Sequence, residues 1–374
     1  MRICLSWVLV LCFSVAFAES EPDAETLTAH PGSDLTPDLR NDETKLKLQQ
    51  GDFVVVPIPI SNPTLDTGLV VGGAYFYSQT EEEKLVQPAS VTAVGAMYTS
   101  NGSYAFGLGQ QNYWDEDTWR FKGAIGHADL DLVLTAPDGS STGLDTTWLV
   151  NGDFLQASLS RRVTGQWYLG VFSRYIDVNQ TVESNLATAG SDTSPEITSV
   201  GLGLKLEYDG RDMPLNTYEG RYFEASALFN DESFGSDRTY QSYAIAYRSY
   251  HQLSLPIVLA WELKGCARDG TAPLWDACTL GLRGFSVTDY LARSSVSAQF
   301  EARWRMNDRW GLVGFAGGGS ISSSFSEINE REIIPSYGIG LRFMVLAAKR
   351  INIRLDYARS RDSDAVHLSV GEAF

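Results

Sequence analysis

The chain has 374 residues and a formal net charge of −17, a length that allows two ordinary domains or one large barrel. Hydrophobic residues make up 44% and charged residues 20%, which excludes a disordered chain. The acidic charge argues against nucleic-acid binding, which needs a basic face, and the 34 Gly and 17 Tyr favour sheets and turns over helices.

Residues 1–18 have the pattern of a secretory signal peptide. The basic residue Arg2 precedes the apolar run Ile3–Val15, and Ala16-Phe17-Ala18 follows as a small-x-small cleavage site. The apolar run is shorter than the roughly 20 residues of a membrane-spanning helix, which argues against an anchor. We therefore predict an exported protein. Residues 19–51 are polar, and we expect a flexible segment that is too short for a folded domain.

From residue 52 onward the sequence alternates between strand and turn signals. Most predicted strands exceed the roughly 9–11 residues with which a tilted strand crosses a bilayer, whereas globular strands usually have about 5–6. Their number, about sixteen, is even, as in bacterial outer-membrane barrels. We predict that residues 52–374 form one all-β domain, a transmembrane antiparallel β-barrel. The predicted strands are 52–60, 67–78, 88–99, 103–113, 117–133, 145–160, 166–179, 195–208, 219–229, 239–250, 253–265, 293–306, 309–321, 335–347, 350–359 and 364–374.

The strand predicted at 293–306 explains why a membrane barrel is favoured over a soluble sheet. Its two faces, which alternate with a period of two, differ sharply in polarity. A barrel would place lipid on the apolar face and a wet lumen on the charged one, and a charge facing lipid costs about 2–4 kcal/mol near the midplane. Phe300, Ala302, Trp304 and Met306 lie on one face, and Gln299, Glu301, Arg303 and Arg305 on the other.

The connections between predicted strands alternate in length, which indicates short periplasmic turns and long extracellular loops. A soluble sandwich has no reason for that asymmetry. We therefore expect a protein of the Gram-negative outer membrane. The tight turns are Val163-Thr164-Gly165, His251-Gln252, Asn307-Asp308 and Ala347-Ala348, and the longer loops are 134–144, 180–194, 230–238, 266–292 and 322–334.

Two prolines in the first predicted strand, Pro57 and Pro59, predict a weak seam. Alternate residues direct their N–H groups to the same neighbour, so both prolines remove donors from one edge. If that edge faced the second strand, the hairpin through Ser61–Asp66 would be poorly paired. We expect it to face the last strand, Asp364–Phe374, which closes the barrel. The alternative is that the prolines lie above the membrane in a frayed strand.

Two cysteines, Cys266 and Cys278, remain after cleavage of the signal peptide. Cysteines separated by a short loop in an exported protein most often pair, and we predict a disulfide in an extracellular loop. Two free thiols are the alternative.

Several motifs together resemble the BamA/TamA family of bacterial surface-antigen barrels. The most specific is Leu282-Arg283-Gly284-Phe285 in the longest loop, which is similar to the arginine-glycine-aromatic motif of the family's sixth extracellular loop. The resemblance covers roughly residues 52–374. The other motifs are Tyr208-Asp209-Gly210-Arg211-Asp212 with Gly220, Phe300-Glu301-Ala302-Arg303, Gly314-Phe315-Ala316-Gly317-Gly318, 335–343, and Gly371-Glu372-Ala373-Phe374.

The resemblance implies that the loop folds into the lumen and that Arg283 meets Glu301 on the inner wall. A further acidic residue of the family pattern is replaced by Ala316, so we expect a weaker or different lock. A solvated loop arginine is the alternative. Phe374 ends a strand with apolar alternation and resembles the C-terminal signal that directs barrels to insertion. An ordinary edge strand is the alternative for that segment.

The resemblance implies a noncatalytic factor that inserts or translocates proteins or lipid through a lateral seam. Its partners would be outer-membrane lipids, client outer-membrane proteins or a periplasmic protein. Family members that assemble outer-membrane proteins carry POTRA domains before the barrel. Residues 19–51 have no room for one, so we expect a member without POTRA domains, and client capture by that route is in doubt.

Two other functions stay open from the sequence. One is a plugged pore or passive channel. The other is a barrel hydrolase, because His367 and Ser369 have a spacing seen in an outer-membrane phospholipase, although no partner Asn is evident. The four histidines are too scattered for a metal site by spacing, and we expect no cofactor and no enzymatic activity.

Overall fold

The computed structural model describes residues 53–374 except 63, 135–145, 185–191, 215, 287, 348–349 and 362–363. The predicted signal peptide and the polar segment 19–51 lie outside the described residues. None of the helices in the described part of the chain is long and apolar enough to cross a membrane. These helices are single turns or little more, at Glu83–Leu85, Glu232–Phe234, Leu274–Asp276 and Phe325–Glu330.

The described residues form sixteen strands that close into one antiparallel barrel, which confirms the predicted fold class. Each strand pairs with its neighbours in the chain, and β1 meets β16. The strands are β1 (Phe53–Asn62), β2 (Asp66–Phe76), β3 (Val91–Thr99), β4 (Tyr104–Trp114), β5 (Trp119–Leu134), β6 (Thr146–Thr164), β7 (Trp167–Ser184), β8 (Asp192–Asp209), β9 (Gly220–Asn230), β10 (Tyr240–Ser254), β11 (Ile257–Gly270), β12 (Ser294–Arg305), β13 (Trp310–Ser322), β14 (Ile334–Leu346), β15 (Ile351–Ser360) and β16 (Asp364–Val370).

The polarity of the wall is inverted relative to a soluble protein. On β12, Glu301 and Arg303 are buried, whereas Phe300 and Trp304 are exposed on the outside. Exposed aromatic side chains also mark both ends of the strands, as on β4, where Tyr104 lies at one end and Trp114 at the other. Aromatic belts of this kind sit at the two membrane interfaces, so the outer surface is built for lipid.

Several predicted boundaries are wrong. β6 continues to Thr164, inside the predicted turn Val163-Thr164-Gly165, and β7 and β11 extend to Ser184 and Gly270, into the predicted loops 180–194 and 266–292. The turn between β10 and β11 lies at Leu255-Pro256, not at His251-Gln252, because β10 continues until Ser254 pairs with Ile257. A proline suits a turn, since its φ is fixed and it needs no ladder donor. The last strand ends at Val370 rather than Phe374. Gly371 follows with φ of 87°, a left-handed conformation that turns the chain away from the sheet.

Two connections on the side of the tight turns are longer than expected, namely 77–90 and 210–219. The second packs into the barrel mouth: Asn216 and Thr217 are buried, and Arg303 donates a hydrogen bond from Nη1 to the Thr217 carbonyl (3.2 Å). Short turns therefore predominate on that side without being universal.

The lumen is not polar throughout, which differs from the expected wet interior. Strands β5–β8 are longer than a bilayer crossing requires, so part of each extends beyond the membrane. Their inward side chains, together with Ile58 of β1, Val70 of β2 and Trp275 of the loop between β11 and β12, form an apolar cluster instead of facing water. The cluster includes Ile58, Val70, Leu130, Leu132, Trp148, Val150, Ile176, Val178, Ile197 and Trp275.

Candidate functional site

The long loop between β11 and β12 folds back into the barrel. Leu282, Arg283 and Phe285 are all buried, as is Trp275 nearer the start of the loop. Gly284 has φ of 93°, and a Cβ there would lie 3.3 Å from the Cβ of Ala358 on β15. A glycine is therefore needed for the left-handed turn that brings the loop tip onto the inner wall.

Arg283 lies within a ring of polar side chains on that wall. Its Nη2 atom is 2.7 Å from Glu301 Oε2, its Nη1 atom is 3.1 Å from Asp356 Oδ2, and its Nε donates to Gln299 Oε1 at 3.2 Å. The guanidinium carbon also lies 3.5 Å from the ring centre of Phe315. The rigid donor fork of arginine suits such a multidentate site, which lysine could not reproduce.

Asp356 is the acidic residue that the motif comparison missed. Ala316 is exposed on the outside of β13, and the inward residue beside it is Phe315. The second carboxylate comes instead from β15. The alternation of Asn352, Arg354 and Asp356 already indicated an inward position, but the sequence alone did not bring that strand next to the loop.

The same network holds the C-terminal residues inside the barrel. Arg303 donates to Glu301 from Nε (2.6 Å) and to the Phe374 carbonyl from Nη2 (2.8 Å). Arg342 pairs with Asp356 (2.5 Å) and with Glu372 (2.8 Å). The terminal residues and the loop are therefore fixed by adjoining arginines, and Phe374 ends in the lumen rather than on a membrane-facing strand.

A second anchor, not predicted from the sequence, lies nearer the start of the loop. Asp276 has no exposed surface and pairs with Arg174 on β7 (2.6 Å) and Arg268 on β11 (3.2 Å). A disulfide between Cys266 and Cys278, with Cα atoms 5.8 Å apart, ties this part of the loop to β11. The loop lacks any periodicity that would have indicated Asp276.

The junction of β1 and β16 is the weakest in the barrel wall. β1 pairs with β2 without interruption from Phe53↔Tyr75 to Asn62↔Asp66, whereas its described pairing with β16 is the single position Ser61↔Leu368. Pro57 and Pro59 both lie on β1, exposed on the outside. Beyond this pair, β16 ends at Val370 and the chain turns inward at Gly371. Most of the edge of β1 between Phe53 and Ser61 therefore faces no strand.

The loop contacts both sides of this junction from within. The Gly284 amide donates to His367 Nε2 on β16 (3.2 Å), and Ser286 Oγ shares a hydrogen bond with Thr64 Oγ1 in the β1–β2 turn (3.1 Å). His367 therefore accepts a backbone hydrogen bond, and Ser369 Oγ donates to the Val370 carbonyl. No group of His, Cys, Asp or Glu suited to a metal ion occurs among the described residues.

Comparison with known proteins gives a family and a fold. The model of the Omp85 superfamily domain matches residues 92–374. The structure of BamA from Haemophilus ducreyi lacking POTRA domains 1–3 aligns with a TM-score of 0.60 at 12% identity, covering 86% of this chain and 70% of that chain. No curated protein sequence matches significantly.

CdiB provides two further structural matches, each with a TM-score of 0.54. The protein from Acinetobacter baumannii is 11% identical over 85% of this chain, and the one from Escherichia coli is 10% identical over 84%. The chain spans 59% and 62% of those two proteins. At such identities the likeness concerns the fold alone.

Proposed function

The chain belongs to the Omp85 superfamily, and on that premise we propose that it moves protein or lipid into or across the outer membrane through the seam between β1 and β16. The observation that carries the proposal is that the described residues of β1 and β16 share a single register pair, Ser61↔Leu368, at the junction that closes the barrel. The proposed action is noncatalytic. It requires only that this junction separate while the rest of the wall stays paired.

The energetics favour opening at this position. Each backbone hydrogen bond missing from a ladder withholds a net stabilisation of roughly 0.5–1.5 kcal/mol. Lipid cannot satisfy the N–H and C=O groups that a normal strand leaves unpaired, so separating a fully paired junction would cost much more. At the β1–β16 junction, only a short part of the β1 edge is paired, so few backbone hydrogen bonds must break. A lateral opening therefore starts here with the fewest bonds to break.

The loop supports the proposal as a latch. Gly284 binds β16 and Ser286 binds the β1–β2 turn, so a short stretch of loop spans the seam on its lumen side. Arg283 fixes the same stretch to β12 and β15 through Glu301 and Asp356. We propose that withdrawal of Arg283 frees the latch and permits the seam to separate.

A passive pore is less well supported. Trp275 and Phe285 of the loop are buried in the lumen, and the upper interior contains the apolar cluster. A water-filled channel needs a polar path along its whole length. Such a path would require the loop to move out of the lumen, which is the same movement that the proposed release of Arg283 requires.

The test is a disulfide across the seam, made with Ser61→Cys and Leu368→Cys. Facing residues of antiparallel strands have Cα atoms about 4.5–5.5 Å apart, which permits a disulfide. The matched control joins Leu355→Cys with Leu368→Cys, because Leu355 faces Leu368 from the other side of β16. In vesicles containing a labelled phospholipid, or supplied with an unfolded barrel client, the seam lock should abolish movement of the cargo and the control should not. Full activity with the seam locked would contradict the proposal.

A further inference from the structure

The edge of β1 determines what the seam can accommodate. If the seam opens as proposed above, an incoming cargo meets this edge first. Two classes of cargo make different demands on it. A client β-strand needs a regular row of N–H and C=O groups with which to pair, whereas a lipid acyl chain needs only apolar surface.

The edge lacks part of that row. The ladder between β1 and β2 passes through Pro57↔Val71 and Pro59↔Leu69 without interruption. Proline has no N–H, and residues two apart direct that group to the same side. An unbroken ladder with β2 therefore requires the donor-free positions to lie on the opposite edge, towards β16.

The consequence is an edge that resists strand addition. Along it, a client strand would find two successive donor positions empty, and its own carbonyl groups opposite Pro57 and Pro59 would remain unpaired in lipid. Prolines on exposed edges are a common means of preventing a sheet from recruiting another strand. The two prolines also lower the free-energy cost of leaving the β1 edge unpaired, because an absent N–H needs no partner.

The side chains around the edge are apolar on both faces. Phe53 and Val55 are 63% and 55% exposed on the outside, where Pro57 and Pro59 are also exposed. On the inside, Ile58 belongs to the apolar cluster that fills the upper lumen, with Ile60 packed against it. A chain of methylene groups passing through the seam would contact apolar side chains on either face, at an edge that carries no N–H group at Pro57 or Pro59.

We infer that the cargo that enters the β1–β16 seam is the acyl chain of a membrane lipid, and that the seam does not template a client β-strand. The inference rests on the proposed lateral opening and names the class of molecule that uses it. Its physical basis is the combination of a donor-poor edge with apolar surfaces on both faces.

The experiment uses the full protein in vesicles with two cargoes tested side by side. One is a fluorescent phosphatidylethanolamine whose transfer between leaflets is followed by chemical quenching, and the other is a urea-unfolded eight-stranded barrel whose folding is followed by gel mobility. The protein should accelerate lipid transfer by about tenfold or more over empty vesicles and leave client folding unchanged. The Ser61→Cys, Leu368→Cys lock should abolish the transfer.

A proline variant tests the donor argument directly. Pro57→Thr with Pro59→Thr restores both N–H groups, so the edge can pair with a client strand, and seam-dependent folding of the client should rise by about fivefold or more over that with the native protein. Pro335→Thr is the matched control, because Pro335 lies on β14, away from the seam. The heat-dependent gel shift of a folded barrel checks that each variant is intact. If the double proline variant does not fold, the comparison of the native protein with the Ser61→Cys, Leu368→Cys variant tests the inference.

The possible results separate the two proposals. Seam-dependent folding of the client without lipid transfer would overturn the lipid inference and leave the lateral opening standing. If the disulfide across the seam changes neither lipid transfer nor client folding, the proposed lateral opening is wrong, and the lipid inference with it. Seam-dependent lipid transfer without client folding supports both.

Discussion

Two junctions of the same barrel wall, β6–β7 and β1–β16, differ in how much of their backbone is paired. The first is paired from Thr146↔Ser184 to Thr164↔Trp167, and the second, among the described residues, at Ser61↔Leu368 alone. Both lie in the same closed barrel, so the contrast is not a property of the fold class. It comes from the sequence at one junction, where two prolines and a glycine turn prevent the ladder from continuing.

This comparison indicates how a barrel can be stable and still have a place to open. A ladder is cooperative, so a fully paired junction separates only at great cost in lipid. Concentrating the missing bonds at one junction leaves the remaining wall intact. Because the loop spans this junction from inside, we propose that its anchors set how often the junction separates. Weakening the anchors should therefore affect the β1–β16 wall and spare the β6–β7 wall.

The largest effect is expected from Arg283→Ala. Glu301 and Asp356 have no exposed surface, and losing one partner of a buried ion pair typically costs about 3–5 kcal/mol, although Arg303 and Arg342 remain nearby to reduce the loss. Protease cleavage of the loop on intact cells should rise. Arg331→Ala, which removes an exposed pair with Glu327, is the control and should change nothing. Equal cleavage of the Arg283→Ala variant and the native protein would remove the basis for the latch.

Loss of the disulfide should rank second. Replacing Cys266 and Cys278 with serine should lower the free energy of unfolding by about 3 kcal/mol, because the open loop gains conformational entropy in the unfolded chain. Thermal unfolding in detergent measures the change. Alkylation of the native protein without reductant, followed by mass spectrometry, should find these two cysteines unmodified. Two alkylated thiols per mature chain would contradict the bond.

A smaller loss is expected from Asp276→Asn. The amide keeps the shape but removes the negative charge that pairs with the buried guanidinium groups of Arg174 and Arg268, at a cost of about 2 kcal/mol. The start of the loop should loosen, as measured by hydrogen exchange of 271–280. Asp269→Asn, at an exposed position near the end of β11, provides the comparison. Similar exchange in both variants would rule out the second anchor.

The smallest effect is expected from Thr64→Ala, which removes the side-chain hydrogen bond to Ser286 on the β1 side of the seam. One such bond contributes roughly 0.5–1.5 kcal/mol, so loop cleavage should increase only modestly, with unfolding temperature almost unchanged. Thr92→Ala, on β3 away from the loop, is the control. A larger effect than that of Arg283→Ala would reverse the proposed roles of the two contacts.

The sequence predicted the barrel well because lipid imposes a simple rule on every strand. The alternation around Glu301 gave the inner and outer faces of β12, and the strand boundaries mostly lie within a few residues of those observed. The rule fails where lipid is absent. The apolar interior beside Leu130 and Val150 follows from strands that extend past the membrane, where the outer face carries polar residues such as Asp129 and Asn151 and the inward face forms an apolar core.

The candidate site was only partly predictable, because its contacts join residues that are distant in the chain. The motif around Arg283 indicated Glu301, but Asp356 and Asp276 depend on how the barrel closes around the loop. The inward path of Phe374 depends on the left-handed conformation at Gly371, which a strand pattern does not reveal. Alternation gives the face of a residue, and tertiary packing decides its partner.

The central claim is that the β1–β16 junction opens while the rest of the wall stays closed. Hydrogen–deuterium exchange of the protein in lipid nanodiscs tests it most directly, through peptides from β1 and β16 compared with peptides from β6 and β7. The account predicts fast exchange for β1 below Ser61 and slow exchange for β6 and β7, with Arg283→Ala accelerating only the first. Equal protection of β1 and β6 in the native protein, unchanged by Arg283→Ala, would contradict it.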